Sequence, residues 1–538
     1  MKPRFFILLG ALTVCTLTMM AQVHIRIDDP ATWSAQELLP YVGQTVVFDA
    51  PMVVCSQYSS SLTVSPRRLY SPTNQARPRT EAYKSVVKLN NSGAMTLTGM
   101  PSRSYNNPYR CGEKIYNLTV KVNSTNSLTW LGGEFKGNKR SDMENANIRA
   151  MVNIDGCDEC LLVCTMNLEY YLVENIGGSM GPRNYAEHQR QRAKTSKALK
   201  KINADLYGFV EIEQGQQAVA EIASDLNTNL PGRNYKYIND GGSSSGTYTK
   251  SAFVYDDNKL KPIGTIQSQQ AGNIPAVRHR MICFEERATG ERFIYSVNHF
   301  KAKSGSGSGK DADMGDGQGG FNNARKIEAQ AVVDQYKRYR MQIKEKDILI
   351  MGDLNAYGME DPIYLMVNDN GMIDLHRAFH ADSSYSYQFG GLAGYLDHAI
   401  SNGTLYPQVT GVTGFHINSD ESDSYTYDKS SDQTMFRSSD HDPVLVGLKL
   451  DSNLVYDPSP TMNSYEVFTG ETNKLIINNA YKDGQRSFYA IYDISGVLIE
   501  REEIKGYLHE IALPTKSGMY IVYVYSDGQA YQRRLIVR

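Results

Sequence analysis

The sequence predicts an α/β region flanked on both sides by all-β units. Two observations carry that reading. Between residues 156 and 452, apolar, β-rich runs recur at 161–166, 206–210, 293–297, 348–351 and 444–448, each with the length and composition of a buried strand. At either end, segments such as QTVVFDAPMVV and YNLTVKVN, or SFYAIYDISGVLIE and GMYIVYVYSDGQAYQRRLIVR, alternate apolar and polar residues between Gly, Pro, Asn and Ser. That is the pattern of small antiparallel barrels and sandwiches. A length of 538 residues agrees with about three domains, since single cores stop growing near ~250–300 residues.

Residues 1–21 read as a secretory signal, with Lys2 and Arg4 before an apolar stretch and Ala21 before Gln22. No other stretch approaches ~18 consecutive apolar residues, so no membrane span is expected. Residues 22–155 form the first β-unit; they carry 15 Lys/Arg against 10 Asp/Glu. Aromatics expected to be exposed there, Tyr58, Tyr105, Tyr109 and Trp130, suit base stacking, and equally a packing module. The whole chain is balanced, 56 Lys+Arg against 58 Asp+Glu, so bulk charge names no partner.

Residues 156–452 form the α/β region. Ala193, Ser196, Leu199 and Ile202 recur at helical spacing, which leaves Arg190, Arg192, Lys194, Lys197 and Lys201 on a charged outer face. The stretch 304–320 is rich in Gly and Ser and reads as a mobile loop, or as a calcium site through Asp311, Asp313 and Asp316. Cys157, Cys160 and Cys164 read as a disulfide or buried thiols, with a zinc cluster the alternative. Residues 455–538 open on a linker-like YDPSPTMN and read as an all-β sandwich without chemistry of its own.

The functional signal lies at the ends of the apolar runs. Asn167, Glu211, His299, the pair Asp353 and Asn355, and Asp440-His441 each follow or precede one, and Asp397-His398 falls between the last two. Polar groups at strand ends converge on one sheet edge, where sites are built. Asn167, Glu211, Asp353, Asn355 and Asp440 are the hard oxygen donors magnesium takes. His441 beside Asp397 makes a base oriented by a carboxylate, and His299 a donor on the opposite side. This is the equipment for attack on a phosphodiester.

The strings ADLYGFVEIE, NHFKAKSGSG, GQGGFNNAR, GDLNAYGMEDPI, GYLDHAISN, HINSDE and FRSSDHDP resemble the endonuclease/exonuclease/phosphatase superfamily, which includes DNase I and the apurinic endonucleases, and within it the large secreted bacterial nucleases. The resemblance implies a DNase I-like four-layer α/β sandwich with two central β-sheets. It implies hydrolysis of DNA, and of RNA as an extension, with magnesium, with manganese as a substitute and calcium as a structural or activating ion. Position by position, Asn167, Glu211 and Asp440 fall on the metal side; His299, Asp353, Asn355, Asp397 and His441 are catalytic. Tyr255, Asn298 and Arg325 fall on the substrate side, Tyr255 as a buttress for His299. Glu213 stands where DNase I has an Arg that contacts the minor groove. The N-terminal unit resembles the OB-like modules that precede such domains. The C-terminal segment resembles the sorting domain read by the type IX secretion machinery, which implies an extracellular or surface-attached protein. A phosphodiesterase acting on phospholipids or inositol phosphates, and a DNA-binding protein with a decayed centre, are the alternatives. Oligomeric state is not legible.

Overall fold

The computed structural model describes residues 22–58, 60–104, 107–153, 160–240, 247–381 and 383–451. In the C-terminal stretch it describes 465–470, 474–479, 487–493, 497–504, 508–512, 514, 516, 518–526 and 529–537. The predicted leader, Tyr105 and Cys157 lie outside these residues.

The α/β region is built on two six-stranded sheets. The first runs Tyr235–Tyr237, Thr249–Asp256, Leu206–Glu213, Leu161–Tyr171, Val444–Leu448, Val409–Gly414; the second runs Leu260–Ser268, His279–Glu286, Arg292–Asn298, Ile348–Asp353, Asp397–Ser401, Ile373–Asp374. Val163, Val210, Phe253 and Val446 of the first pack on Phe284, Tyr295, Val297, Met351 and Ala399 of the second in one buried core. Residues of the other parity point outward. Leu162, Cys164, Met166, Tyr207 and Phe209 share a core with the helices Tyr185–Ile202 and Gln217–Asn229, and Ile294, Ile348 and Ile350 with Asn322–Ile343. Four layers result, helix–sheet–sheet–helix. Both faces of the central strands are covered, which is why their sequences are apolar runs without alternation.

At Gly208 a Cβ would collide with Val297 and come within 2.5 Å of the Tyr295 hydroxyl. The sheets touch there, and only a residue without a side chain fits.

The helix Tyr185–Ile202 starts on Asn184, whose side chain accepts from Glu187 N, and stops at Asn203 in the left-handed region (φ 50°). Its buried face holds Leu199 and Ile202 as expected, with Ala198 and Lys194 in addition, while Ala193 and Ser196 are half-buried. Lys194 is fully buried, with Nζ 2.9 Å from Asp432 and donating to Phe436 O at 2.7 Å. The outer cations are also engaged: Arg192 with Asp225, Arg190 with Tyr427 O, Lys197 with Gln433 O and Lys201 with Glu144 O. This face is therefore spent on the protein itself.

The loop at 304–320 is docked and contains a short helical turn at Gly309–Asp311. Asp316 pairs with Arg79 at 2.7 Å, Asp311 accepts from Ala324 N, and Asp313 accepts from Gly315 N. The three carboxylates serve three separate contacts and form no calcium cage. Cys160 is disulfide-bonded, whereas Cys164 is a free, buried thiol.

The N-terminal strands form a seven-stranded sheet in which Lys114–Ser124 also pairs with Ser127–Lys136. That extra pairing closes Met52–Tyr58, Ser61–Ser65, Met95–Thr98, Ser127–Lys136 and Lys114–Ser124 into a ring around Val54, Leu62, Val64, Leu97, Val120 and Leu128. Tyr58 is exposed, but Tyr109 is buried with its hydroxyl donating to Pro101 O at 2.7 Å, and Trp130 stacks on Phe135. Chain 69–71 adds to the α/β region: Ser71 N donates to Ala393 O and Ala393 N to Leu69 O. The C-terminal strands form sheets of three and four strands.

Two stability predictions follow from this packing. Gly208→Val, by overpacking the inter-sheet contact, lowers unfolding free energy by about 1–3 kcal/mol in urea titrations. Asp205, at the foot of the strand Leu206–Glu213, is buried and accepts from Leu162 N and from Arg149 and Arg233. Burial alone would raise its pKa, but Arg149, Lys259 and Arg233 hold it below the usual value. Its stabilisation is therefore present above the ordinary carboxylate pKa near ~3.9 and lost as pH falls through the lower folded value. Asp205→Asn costs about 3 kcal/mol at pH 7, and the gap to wild type closes in strong acid.

Candidate active site

Strand direction gathers the polar ends. Leu161–Tyr171 and Leu206–Glu213 pair in parallel with Asn167 opposite Val210. Arg292–Asn298 and Ile348–Asp353 pair in parallel with Val297 opposite Met351. Asp397 opens an antiparallel strand opposite Asp353, and Val444 opens one opposite Thr165. Asn167, Glu211, His299, Asp353, Asp397 and Asp440-His441 consequently stand along one edge of the sandwich. Gly352 allows the last approach: it has φ 126°, and a Cβ there would strike the backbone of Asn298.

The distances confirm convergence. His299 Nε2 is 3.5 Å from Glu211 Oε1 and 3.7 Å from Asp353 Oδ2. His441 Nε2 is 3.9 Å from the same Asp353 oxygen and 4.0 Å from Asp440 Oδ2. His441 Nδ1 is 2.7 Å from Asp397 Oδ2, which also accepts from Ser386 Oγ at 2.7 Å. Asn167 donates to Asp353 at 3.2 Å, and Asn355 donates to Asp353 through its backbone N–H at 2.8 Å. Tyr170 N donates to Glu211 Oε2 at 3.1 Å.

Electrostatics separates the two imidazoles. Burial, with Arg278 and His441 nearby, pushes His299 well below the ordinary histidine value. Burial also opposes charge on His441, but Asp397, Asp440 and Asp353 override it and hold that imidazole well above. One ring is a neutral N–H donor and the other a proton holder, the divergence expected of groups with opposite roles. Glu211 is pushed up to about 7, first by burial and then by Asp440 and Asp353.

The donor chemistry fits a hydrated divalent cation. Among the described residues no group of three or more His, Cys, Asp and Glu is set to cage an ion by itself. Magnesium does not need one: it takes one or two carboxylates and keeps several waters. Glu211, Asp440 and the Asn167 amide supply that set, and a cation there would relieve the repulsion that raises Glu211.

Three substrate-side expectations are corrected. Tyr255 pairs with Leu206, at the opposite end of the strand from Glu211, and packs on Phe284. Antiparallel direction carries it away from His299, and Asp257 beyond it pairs with Lys236 and Arg287. Arg325 is fully buried and donates to the carbonyls of Lys301, Gly320 and Gln318, so it staples the docked loop. Asn298 is also fully buried and donates to Ser296 Oγ. Glu213 accepts from Val173, Glu174 and Asn175 N–H groups and folds a loop.

The structure adds residues that motif reading misses. Tyr387 stacks on His441 with ring centroids 4.6 Å apart. Glu169, raised to about 8 by burial and Asp440, and Arg278, which donates to Phe300 O at 2.8 Å, flank the carboxylates. Of twelve non-glycine residues in the left-handed region among the described residues, Glu169, Tyr170, Glu211, Asn355 and Arg437 lie here. Such backbone persists where surrounding structure imposes it; neither periodicity nor composition signals it.

On phosphodiester substrate, Asp397→Asn lowers kcat by about 10²-fold or more, because Asp397 orients the His441 ring and stabilises its protonated form. Tyr255→Phe leaves kcat/KM within about twofold of wild type, because the residue lies at the opposite end of its strand from the site and the substitution keeps the ring that packs on Phe284.

Solved structures with similar segments include an endonuclease/exonuclease/phosphatase family protein of Bacteroides thetaiotaomicron (19% identity, 55% of this chain and 96% of that one, TM-score 0.38). A mannosyl-6-phosphatase of the same organism matches at 18% identity over 54% of this chain and all of its own, TM-score 0.38. An endonuclease/exonuclease/phosphatase from Beutenbergia cavernae matches at 11% over 70% and 100%, TM-score 0.39. No curated protein matches the chain. The model of the endonuclease/exonuclease/phosphatase family matches residues 165–441, from the strand that carries Asn167 to His441 itself, and the chain belongs to that family of hydrolases.

Proposed function

We propose that this protein is a secreted, magnesium-dependent endonuclease that hydrolyses DNA phosphodiester bonds with little sequence preference. The observation that carries the reading is the set of oppositely tuned imidazoles, His299 and His441, on either side of Asp353, both within 4.0 Å of its carboxylate. A bound divalent cation supplies charge for the phosphate oxygens and lowers the pKa of water. The chain's own groups do the rest. A cation bound among the same carboxylates would offset the charge that holds the His441 proton; in its neutral form, with Nδ1–H held by Asp397, His441 leaves Nε2 free to take the proton of the attacking water. His299 donates to the charge developing on phosphorus-bound oxygen, and its low pKa keeps it neutral beforehand. Asn355 and Asn167 hold Asp353 and leave one of its faces toward the reacting group.

Several features support the nuclease reading over other phosphate esters. The five-stranded ring in residues 22–155 supports an OB-like module, a form that binds nucleic acid. Among the described residues no helix is long and apolar enough to cross a membrane. The leader at 1–21 and the seven C-terminal strands support export and a type IX sorting role, with manganese able to replace magnesium and calcium an auxiliary ion.

Purified protein is expected to degrade plasmid in magnesium and to stop in EDTA, and His299→Ala to lose about 10²–10⁴-fold in kcat. Undiminished digestion in EDTA overturns the reading. Turnover of sphingomyelin vesicles or inositol phosphates in place of plasmid assigns the site to another ester.

A further inference from the structure

We infer that the N-terminal barrel is a positioning element of the active site, acting on His441 and Asp397 through the loop at 416–421. The inference rests on the placement of those two residues at the reacting centre. Three arginines and one asparagine of residues 68–140 hold that loop. Arg68 pairs with Asp420 and lies 3.8 Å over the Tyr385 ring. Asn138 donates to Asp420 Oδ2 at 2.7 Å, and Cys111 N to Asp420 O at 3.0 Å. Arg140 grips Glu421 with two bonds, of 3.1 and 2.8 Å. Arg110 lies 3.2 Å from the same carboxylate and donates to His416 O at 2.6 Å.

From the loop, contacts run to both sides of Asp440-His441. On one side Asn418 accepts from Ser438 N at 2.9 Å. On the other, Asn418 N, Ser419 N and His416 Nδ1 meet the Asp442 carboxylate at 2.8, 3.0 and 2.9 Å. Asn418 Nδ2 also donates to the His441 carbonyl at 2.6 Å. A second branch starts at Asp420, which accepts from Tyr385 and Gln388 at 2.9 Å each. Between them sit Ser386, the donor to Asp397, and Tyr387, the ring against His441. Asp442 N donates to Ser386 O at 2.7 Å and joins the branches.

Buried ion pairs are weak sources of net stability, because desolvation offsets their attraction, but their directionality specifies one arrangement. Asp420 and Glu421 are fully buried and Arg110 and Arg140 nearly so. The barrel's buried arginines are thus committed to one loop, and that loop frames the two segments that fix the His441–Asp397 pair. A misplacement near 1 Å at such a pair costs about 10²-fold in rate.

The test uses the full-length chain with a DNA duplex and magnesium, alongside amide hydrogen exchange of peptides covering 385–388 and 436–443. Arg68→Ala is expected to lower kcat about tenfold or more while KM stays within about twofold, and to speed exchange in both peptides. Arg68→Lys, which keeps the charge facing Asp420, restores most of the rate. In an Asp397→Asn background Arg68→Ala adds little further loss, since both act on one pair. Lys136→Ala, at an exposed side chain that pairs with Glu134 and makes no ion pair with the loop, changes neither readout. Should Arg68→Ala not fold, Asn138→Gly removes one donor to Asp420, keeps the left-handed backbone (φ 43°) and is read in the same way. Unchanged kcat and exchange in a folded variant overturn the inference, and so does a rise in KM at constant kcat, which makes the barrel a substrate binder. If wild type turns over no DNA, the functional reading fails, and exchange alone decides the coupling.

Discussion

Glu211, Asp353 and Asp440 sit together at a largely buried edge, and their mutual repulsion is the constraint around which the site is arranged. Desolvation and like charge both disfavour three ionised carboxylates there, and Glu211 is raised to about 7 as a result. The surroundings answer with donors and cations: the Asn167 and Asn355 amides, the Tyr170 N–H, Arg278 in the electrostatic environment, and His441, whose proton the carboxylates retain. A divalent cation would complete that balance, and in the proposed reaction the same charge would let the phosphodiester approach. The electrostatic need of the apo site and the need of the chemistry are one need.

Such an edge exists because two parallel strand pairs, one in each sheet, end in the same direction. The sheets are brought into contact at Gly208, and Gly352 lets the ends of Arg292–Asn298 and Ile348–Asp353 close on each other. The cost appears as backbone: Glu169, Tyr170, Glu211, Asn355 and Arg437 all take left-handed φ, a conformation L-residues hold only under external constraint. The parallel cores supply part of that constraint. The loop at 416–421, clamped from the N-terminal barrel, bears on Arg437 through Asn418 O and Ile417 O, which extends the support beyond the catalytic sandwich.

Strand ends are legible in the sequence because a buried run of four to six residues leaves its first polar neighbour only one place to go. Asn167, Glu211, His299, Asp353 and Asp440-His441 are found in that way, and the family motif set orders them. Tyr255 is not, since a strand's direction in the sheet, which the run itself does not encode, decides which of its ends faces the site. Lys194 defeats helical periodicity: its hydrocarbon stem is buried with the apolar face while Asp432 and a carbonyl satisfy its charge. The stretch 304–320 has the composition of a free loop, yet Arg79, Glu360 through Lys303, and the Arg325 staple fix it from elements distant in sequence. Long-range ion pairs of this kind leave no local pattern.

The central claim, that Glu211 and Asp440 with the Asn167 amide make a seat for one hydrated divalent cation, is tested most directly by binding and not by turnover. Calorimetric titration of the apo protein with manganese, with magnesium as competitor, is predicted to show saturable binding that Glu211→Gln weakens at least about tenfold while the thermal transition is retained. Manganese affinity that is absent in wild type, or undiminished in a folded Glu211→Gln variant, contradicts the account.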